Sequence, residues 1–254
     1  MEKLLELIKE TKKIAADTDS AQDVTVKGVA DFVTKVDMGI QEFLKPGLAE
    51  LYPDIQFMSE EKDNSEIDQS GKVWILDPID GTTNLIHDYK MSAVSLGLVD
   101  NGIPVLGIVY NPFSDELFYA EKGKGAFLNG KPIHVTDADT LAKSLVSVGT
   151  SPYEKYLADE NFRLIKDFFI ECEDIRRSGS AAMDLCYIAC GRTDGFFERN
   201  LKPWDYTAGI VIVREAGGRV TDFIGNEPSY RSPSDICASN GKIHEYMMDV
   251  LSAK

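Results

Sequence analysis

The sequence predicts a layered fold of sheets and helices, α+β in its first half and α/β in its second. Two observations predict it. Residues 92–128 read as consecutive short strands separated by turn signals, and residues 141–251 alternate strand-like with helix-like runs. With 254 residues and 43% apolar content, the chain can bury a large core.

In chain order, residues 1–16 alternate Leu4, Leu5, Ile8 and Ile14 with Glu and Lys. That pattern predicts an amphipathic surface helix and not a signal peptide. The polar stretch 18–35 predicts an exposed hairpin or loop. A second helix is expected near Asp37, with Asp37 as its cap, and Pro46-Gly47 should kink or split it. Residues 55–58 form a short strand with Ser59-Glu60-Glu61 at its exit. Residues 73–76 form another, delivering Asp77 to its end.

Strands follow at 92–99, 105–110, 117–120 and 126–128, with hairpin turns at Asn101-Gly102 and Asn129-Gly130. Beyond a soft boundary near 135–141 come a strand at 145–148 and helices at 161–170 and 180–189. A strand end at 195–198 precedes a helix at 206–216 closed by Gly217-Gly218. Strands near 219–222 and 236–238 lead to a last helix at 243–251. The expected halves are residues 1–138 and 139–254.

The formal charge is −15, from 42 acidic and 27 basic residues. This disfavours non-specific binding to nucleic acid or anionic membranes. No apolar run approaches the ~20 residues of a membrane span, so a cytoplasmic protein is expected. Cys172, Cys186, Cys190 and Cys237 read as reduced core residues without metal-ligand spacing. The scattered His87, His134 and His244 give no nucleophilic scheme a base.

The chemistry concentrates in residues 74–87. Asp77, rigid Pro78 and Asp80 sit at a strand exit, and Gly81, Thr82 and Thr83 open a short helix. Carboxylates collect hard cations and helix starts collect phosphate. Together they suggest metal-assisted chemistry on a phosphate ester. The plain alternative is an Asp-Pro turn with a capped helix. Two more acidic positions share the context: Glu60 at a strand exit, and Asp205 after Pro203-Trp204 at a helix start.

At these residues the chain resembles the inositol monophosphatase family, lithium-sensitive Mg²⁺-dependent sugar phosphatases. The likeness rests on Glu60-Glu61, the Asp77–Thr83 motif and Gly125-Ala126-Phe127-Leu128-Asn129-Gly130. It continues through Gly179-Ser180-Ala181-Ala182 and Trp204-Asp205 to Glu215-Ala216-Gly217-Gly218, nearly the whole chain. Residues 179–205 are most similar in pattern to bacterial members.

The resemblance implies an αβαβα sandwich, as in inositol monophosphatase and fructose-1,6-bisphosphatase, and a homodimer. It implies two or three Mg²⁺ per site. Glu60, Asp77 and the Ile79 carbonyl would hold one ion; Asp77, Asp80 and Asp205 a second, with Asp77 bridging. Oxygen-only ligands suit Mg²⁺, and paired ions can activate water and stabilise a leaving oxygen. Thr82 would orient that water with Asp37 as its partner, and Glu60 joins them as a catalytic group. The plain reading of Asp37 is a helix cap. Backbone N–H groups of Gly81 and Thr82 would hold phosphate. Asp80, Gly179, Ser180, Ala181, Glu198 and Asp205 would meet the hydroxyls of a phosphorylated polyol or sugar.

Glu61 would support the metal site, and Lys27 in the polar loop either covers the site or is merely solvated. Arg176, Arg177, Arg199 and Lys202 read as surface charge, as dimer contacts or as receivers of a second phosphate. They keep fructose-1,6-bisphosphatase, or another sugar or nucleotide phosphatase, open as an alternative. An alternative of another class is a protein-binding regulator that retains the metal site, without direct nucleic-acid contact.

Overall fold

Five layers follow from where successive apolar side chains point. The computed structural model describes residues 1–68 and 70–253. The first half runs α1 (Glu2–Glu10), α2 (Lys12–Ala15), α3 (Thr18–Gln22), β1 (Val24–Gly28), β2 (Asp31–Thr34) and α4 (Lys35–Leu51). It continues through β3 (Gln56–Ser59), β4 (Lys72–Asp80), α5 (Thr82–Ile86), β5 (Ala93–Asp100) and β6 (Ile103–Asn111). It ends with β7 (Glu116–Glu121), β8 (Ala126–Leu128) and β9 (Lys131–Ile133). The last seven strands form one sheet in sequence order, β3–β4 parallel and the rest antiparallel.

The second half contains β10 (Leu145–Val148), α6 (Ala158–Glu171), β11 (Asp174–Arg176), α7 (Ala181–Ala189) and β12 (Gly195–Leu201). Then come α8 (Pro203–Glu215), β13 (Arg219–Thr221), β14 (Ser234–Ser239) and α9 (His244–Ser252). Its sheet has the order β11-β10-β12-β14-β13.

Strand periodicity sorts the core into three clusters. On β4, Trp74 and Leu76 face Val36, Ile40 and Leu44 of α4. The alternate residues Val73 and Ile75 face α7 and α8. On β12, Phe196 joins that central cluster, while Phe197 turns outward to Phe168 of α6 and Met247 of α9. The layers are therefore α1/α4, first sheet, α7/α8, second sheet, α6/α9, the αβαβα arrangement the family implies.

Helix α8 lies unusually close to the first sheet. Gly97 and Gly107 sit opposite one another on β5 and β6. A Cβ on Gly97 would come within 2.5 Å of Thr207 Cγ2, and one on Gly107 within 2.2 Å of the Ala208 carbonyl oxygen. This cross-strand pair of glycines sets the depth at which α8, and hence Asp205, is held.

Three local expectations need correction. Pro46-Gly47 does not split α4, which runs unbroken to Leu51. An interior proline costs ~3 kcal/mol, but Leu44 and Leu48 are fully buried, and each such side chain contributes ~1.5–3 kcal/mol. Packing therefore wins. The cap of α4 is Thr34, not Asp37; Asp37 is the third helical residue and closes a capping box back to Thr34. Residues 18–35 are not wholly hairpin or loop: α3 forms first, because Asp17 Oδ1 accepts from the Asp19 and Ser20 N–H groups, and the β1–β2 hairpin follows, β1 largely exposed and β2 partly buried.

All four cysteines are free, three of them buried and Cys190 partly so. Among the described residues no helix is long and apolar enough to cross a membrane.

Candidate active site

The first sheet and α8 bring Asp77, Asp80 and Asp205 to one cleft. In an undistorted strand, residues 77 and 80 would point to opposite faces. The β4–β5 register shifts between Asp77 and Asp80, at Pro78, which cannot donate to the ladder. With that bulge both residues line the same cleft of about 430 Å³, together with Glu60, Ile79, Thr82, Glu198 and Asp205. Glu60 arrives at the exit of β3, which runs parallel beside β4.

Each central aspartate has one oxygen tied down. Ile79 N–H donates to Asp77 Oδ1 at 3.0 Å. Ser180 Oγ and the Ala182 N–H donate to Asp80 Oδ2 at 2.6 and 2.7 Å. Lys202 N–H donates to Asp205 Oδ2 at 2.7 Å. The second oxygen of each receives no hydrogen bond from a described residue and is left for a cation.

Burial raises the pKa of every one of these carboxylates. Desolvation, then repulsion from Glu60, Asp80 and Asp205, holds Asp77 well above the usual carboxylate range. Asp205 is likewise raised well above it, by burial and then by Asp80 and Glu60. Desolvation pushes Glu60 up to about 7 and Asp80 up to about 6. Such a cluster of unneutralised oxygen donors suits a hard divalent ion. Among the described residues, no three His, Cys, Asp or Glu side chains are already drawn together around one metal position. The fit is therefore one of donor chemistry and orientation. Lys27 on the β1–β2 hairpin supplies one fixed positive charge, 2.5 Å from Glu61 Oε1, 3.6 Å from Glu60 Oε1 and 4.0 Å from Asp31 Oδ1.

A pH-dependent stability follows. Carboxylates with raised folded-state pKa stabilise the fold below their unfolded values near 4, and that contribution is lost as pH rises through about 6–7. Chelator-treated protein should melt at lower temperature at pH 8 than at pH 5, and Mg²⁺ should raise Tm more at pH 8. Thermal melts at both pH values test this; an equal Mg²⁺ increment at the two would argue against cation binding by these groups.

Thr82 meets Asp37 as expected. Thr82 Oγ lies 3.1 Å from Asp37 Oδ1 and 3.0 Å from the Ile79 carbonyl, both acceptors. Its single proton goes to one of them, and its lone pairs remain free to accept from a water. Asp37 is fully buried, with Oδ2 held by Thr34 N and Oγ at 2.8 and 2.5 Å. Gly81, the first turn's entry, has φ +88°, and a Cβ there would sit 2.9 Å from the Met91 carbonyl. The first N–H groups of α5 lack intrahelical partners, and Gly81, Thr82 and Thr83 line an adjoining cleft of about 290 Å³.

That second cleft also gathers Gly179, Ser180, Ala181 and Glu198. Glu198 is 8% exposed, and burial pushes its carboxyl up to about 7. The Ser151 N–H holds its Oε1 at 2.9 Å. Gly149 admits it, since a Cβ would stand 1.9 Å from Glu198 Cδ. Neither Gly149 nor Ser151 was singled out from sequence, because residues 149–155 carry no motif. Asp184 was missed too. It lines the cleft, accepts from Ser178 Oγ at 2.6 Å and is pushed up to about 8 by burial; only an acid in an otherwise apolar helix, Ala181–Ala189, could have flagged it.

The fold and the acidic cleft at a helix start define an αβαβα protein with the makings of a phosphate-ester site. The chain belongs to the inositol monophosphatase family, whose sequence profile matches residues 1–253. It is 41% identical to the inositol-1-monophosphatase of Synechocystis, over 91% of this chain and 81% of that protein. It is 38% identical to Nus factor SuhB of Escherichia coli, over 91% of this chain and 86% of that protein. A crystal structure of extragenic suppressor protein suhB from Bartonella henselae superposes with a TM-score of 0.90 at 36% identity, covering 99% of this chain and 98% of the other.

Proposed function

We propose that this cleft hydrolyses a phosphate monoester, myo-inositol monophosphate foremost, with Mg²⁺ held by Glu60, Asp77, the Ile79 carbonyl, Asp80 and Asp205. The observation that carries the reading is one cleft holding Asp77, buried, with Asp80 and Asp205, partly buried, each with one oxygen oriented, beside Gly81 and Thr82 at the start of α5. When bound there, Mg²⁺ supplies the Lewis acidity that phosphate-ester hydrolysis needs. Thr82, backed by Asp37, accepts a hydrogen bond from the attacking water and orients it. The N–H groups of Gly81 and Thr82 receive phosphate oxygens. Ser180 fixes Asp80 and shapes, with Gly179 and Ala181, the wall that meets the polyol. The reading includes a cytoplasmic homodimer inhibited by Li⁺.

Glu198 decides specificity. With Oε1 bound to Ser151, its Oε2 accepts from ring hydroxyls. Each such bond to a charged group is worth roughly 1.5–3 kcal/mol, so Glu198→Ala should lower kcat/KM for inositol monophosphate about ten- to a hundredfold. Nitrophenyl phosphate, which lacks those hydroxyls, should be affected much less. Phosphate-release kinetics on a panel of inositol monophosphate, fructose 1,6-bisphosphate, a nucleoside monophosphate and nitrophenyl phosphate test both points. Equal losses on all four would make Glu198 structural.

One observation favours a sugar bisphosphate as the second reading. Arg177 and Lys155 line the second cleft, and Arg177 donates to Thr150 Oγ at 3.2 Å. Neither has an ion-pair partner among the described residues. Arg199 and Arg176, by contrast, are engaged by Glu160 and Asp235 and by Asp174. If fructose 1,6-bisphosphate is the better substrate and Arg177→Gln selectively abolishes it, this reading replaces the first. The Nus-factor name of one relative keeps a protein-binding role as the reading from another class, and a pull-down beside the substrate panel tests it.

A further inference from the structure

A larger cavity lies away from this chemistry. About 580 Å³ opens between the β5–β6 turn, the C-terminal half of α8 and residues 227–231, within the usual range for small-molecule sites, ~300–1,000 Å³. It shares no lining residue with the two clefts at Asp205. Val211 and Arg214 lie six and nine residues beyond Asp205 on α8, roughly 9–14 Å farther along the helix.

Its walls have two characters. Ile103, Pro104, Val211 and Pro228 give an apolar side. A narrow crevice under Tyr230 extends that side toward Met58, Val73 and Val99. The polar side holds Lys122, Arg214 and Arg231 against Glu215 and Glu227, with Asp68 close enough to Arg231 to feel its charge. The acids are not equivalent. Glu215 is occupied, accepting from the Gly123 and Gly125 N–H groups at 2.8 and 2.9 Å. Glu227 pairs with Arg214 through a side chain that is 69% exposed, so an incoming anion can take its place.

Tyr230 supplies the second observation. It is 9% exposed, and its hydroxyl, buried beside Arg214 and Glu227, finds no well-aligned hydrogen-bond partner among the described residues. Such a hydroxyl calls for a partner. The wall that carries it is preformed. Tyr206, the neighbour of Asp205, directs its hydroxyl at the Ser229 and Ser232 carbonyls, and Ser229 N–H donates to Ser234 Oγ at 3.0 Å.

The geometry points to a second ligand site, separate from the catalytic cleft, for a small amphipathic anion. Its anionic group pairs with Arg214 and the Tyr230 hydroxyl, and its ring or short apolar body lies on Ile103, Pro104 and Val211.

The probe is 1-naphthalenesulfonate, titrated calorimetrically into the full chain with Mg²⁺ and saturating inorganic phosphate present to occupy the catalytic cleft. Binding at a single site is expected. Arg214→Gln should weaken it by about tenfold or more, the loss of one charge-assisted bond. Because Arg214 also donates to the Val220 carbonyl, a second variant guards against a folding defect. Ile103 is 49% exposed at the rim, and Ile103→Trp fills the cavity from outside the core; it should abolish binding while Tm and phosphatase activity stay at the wild-type level. No binding under these conditions, or unchanged affinity in both variants, would overturn the site.

Discussion

Asp77→Asn should lower phosphate release by about 10³-fold or more, roughly 4 kcal/mol in transition-state stabilisation. The side chain keeps its shape, and an amide oxygen can still accept the Ile79 N–H that Asp77 Oδ1 accepts at 3.0 Å. What is lost is the charge at the position where β4 breaks register. That carboxylate is 2% exposed, with Glu60, Asp80 and Asp205 as its charged neighbours. Replacing it with a neutral amide removes a desolvated like charge. In chelator at pH 8, the variant should therefore melt no lower than wild type. Activity and melting measured on the same preparation separate the two effects. A variant that turns over at the wild-type rate would remove Asp77 from the chemistry.

Thr82→Val should depress kcat by about 10²–10⁴-fold, the usual worth of positioned proton-transfer assistance, with little change in KM. Valine matches threonine in shape, so the turn at Gly81 should persist. Thr82→Ser restores the hydroxyl between Asp37 and the Ile79 carbonyl and should recover most of the rate. Steady-state kinetics of the three proteins decide the point; an unchanged kcat in Thr82→Val would mean that the hydroxyl does not orient the water.

The parts of the site legible in the sequence were those whose chemistry is local. Asp77, Asp80, Gly81 and Thr82 lie within six residues of one another, and strand, proline, glycine and helix start each leave a signal. Asp205 could be read from a proline-opened helix. Layering was legible in the mix of strand-like and helix-like runs, and its five-layer order in the family resemblance; that Trp74 and Val73 face different cores is a matter of packing.

Features set by tertiary contact were not. The cap at Thr34 looked like a cap at Asp37, since both residues take part in one box. Pro46 looked like a break because nothing local reveals how deeply Leu44 and Leu48 are buried. The register shift after Asp77 depends on pairing with β5. The paired glycines under α8 become meaningful only once Gly97 and Gly107 are known to face each other. Ser151 and Gly149 shape the Glu198 pocket from more than forty positions away, a relation invisible to any motif.

Hydrolysis of phosphate esters at the acidic cleft is expected to require bound divalent cations. The most direct test is phosphate release from inositol monophosphate by one preparation in three states: as purified, stripped with chelator, and stripped then restored with Mg²⁺. Activity is expected in the first, its loss in the second and its return in the third. Undiminished turnover by the stripped protein would contradict it.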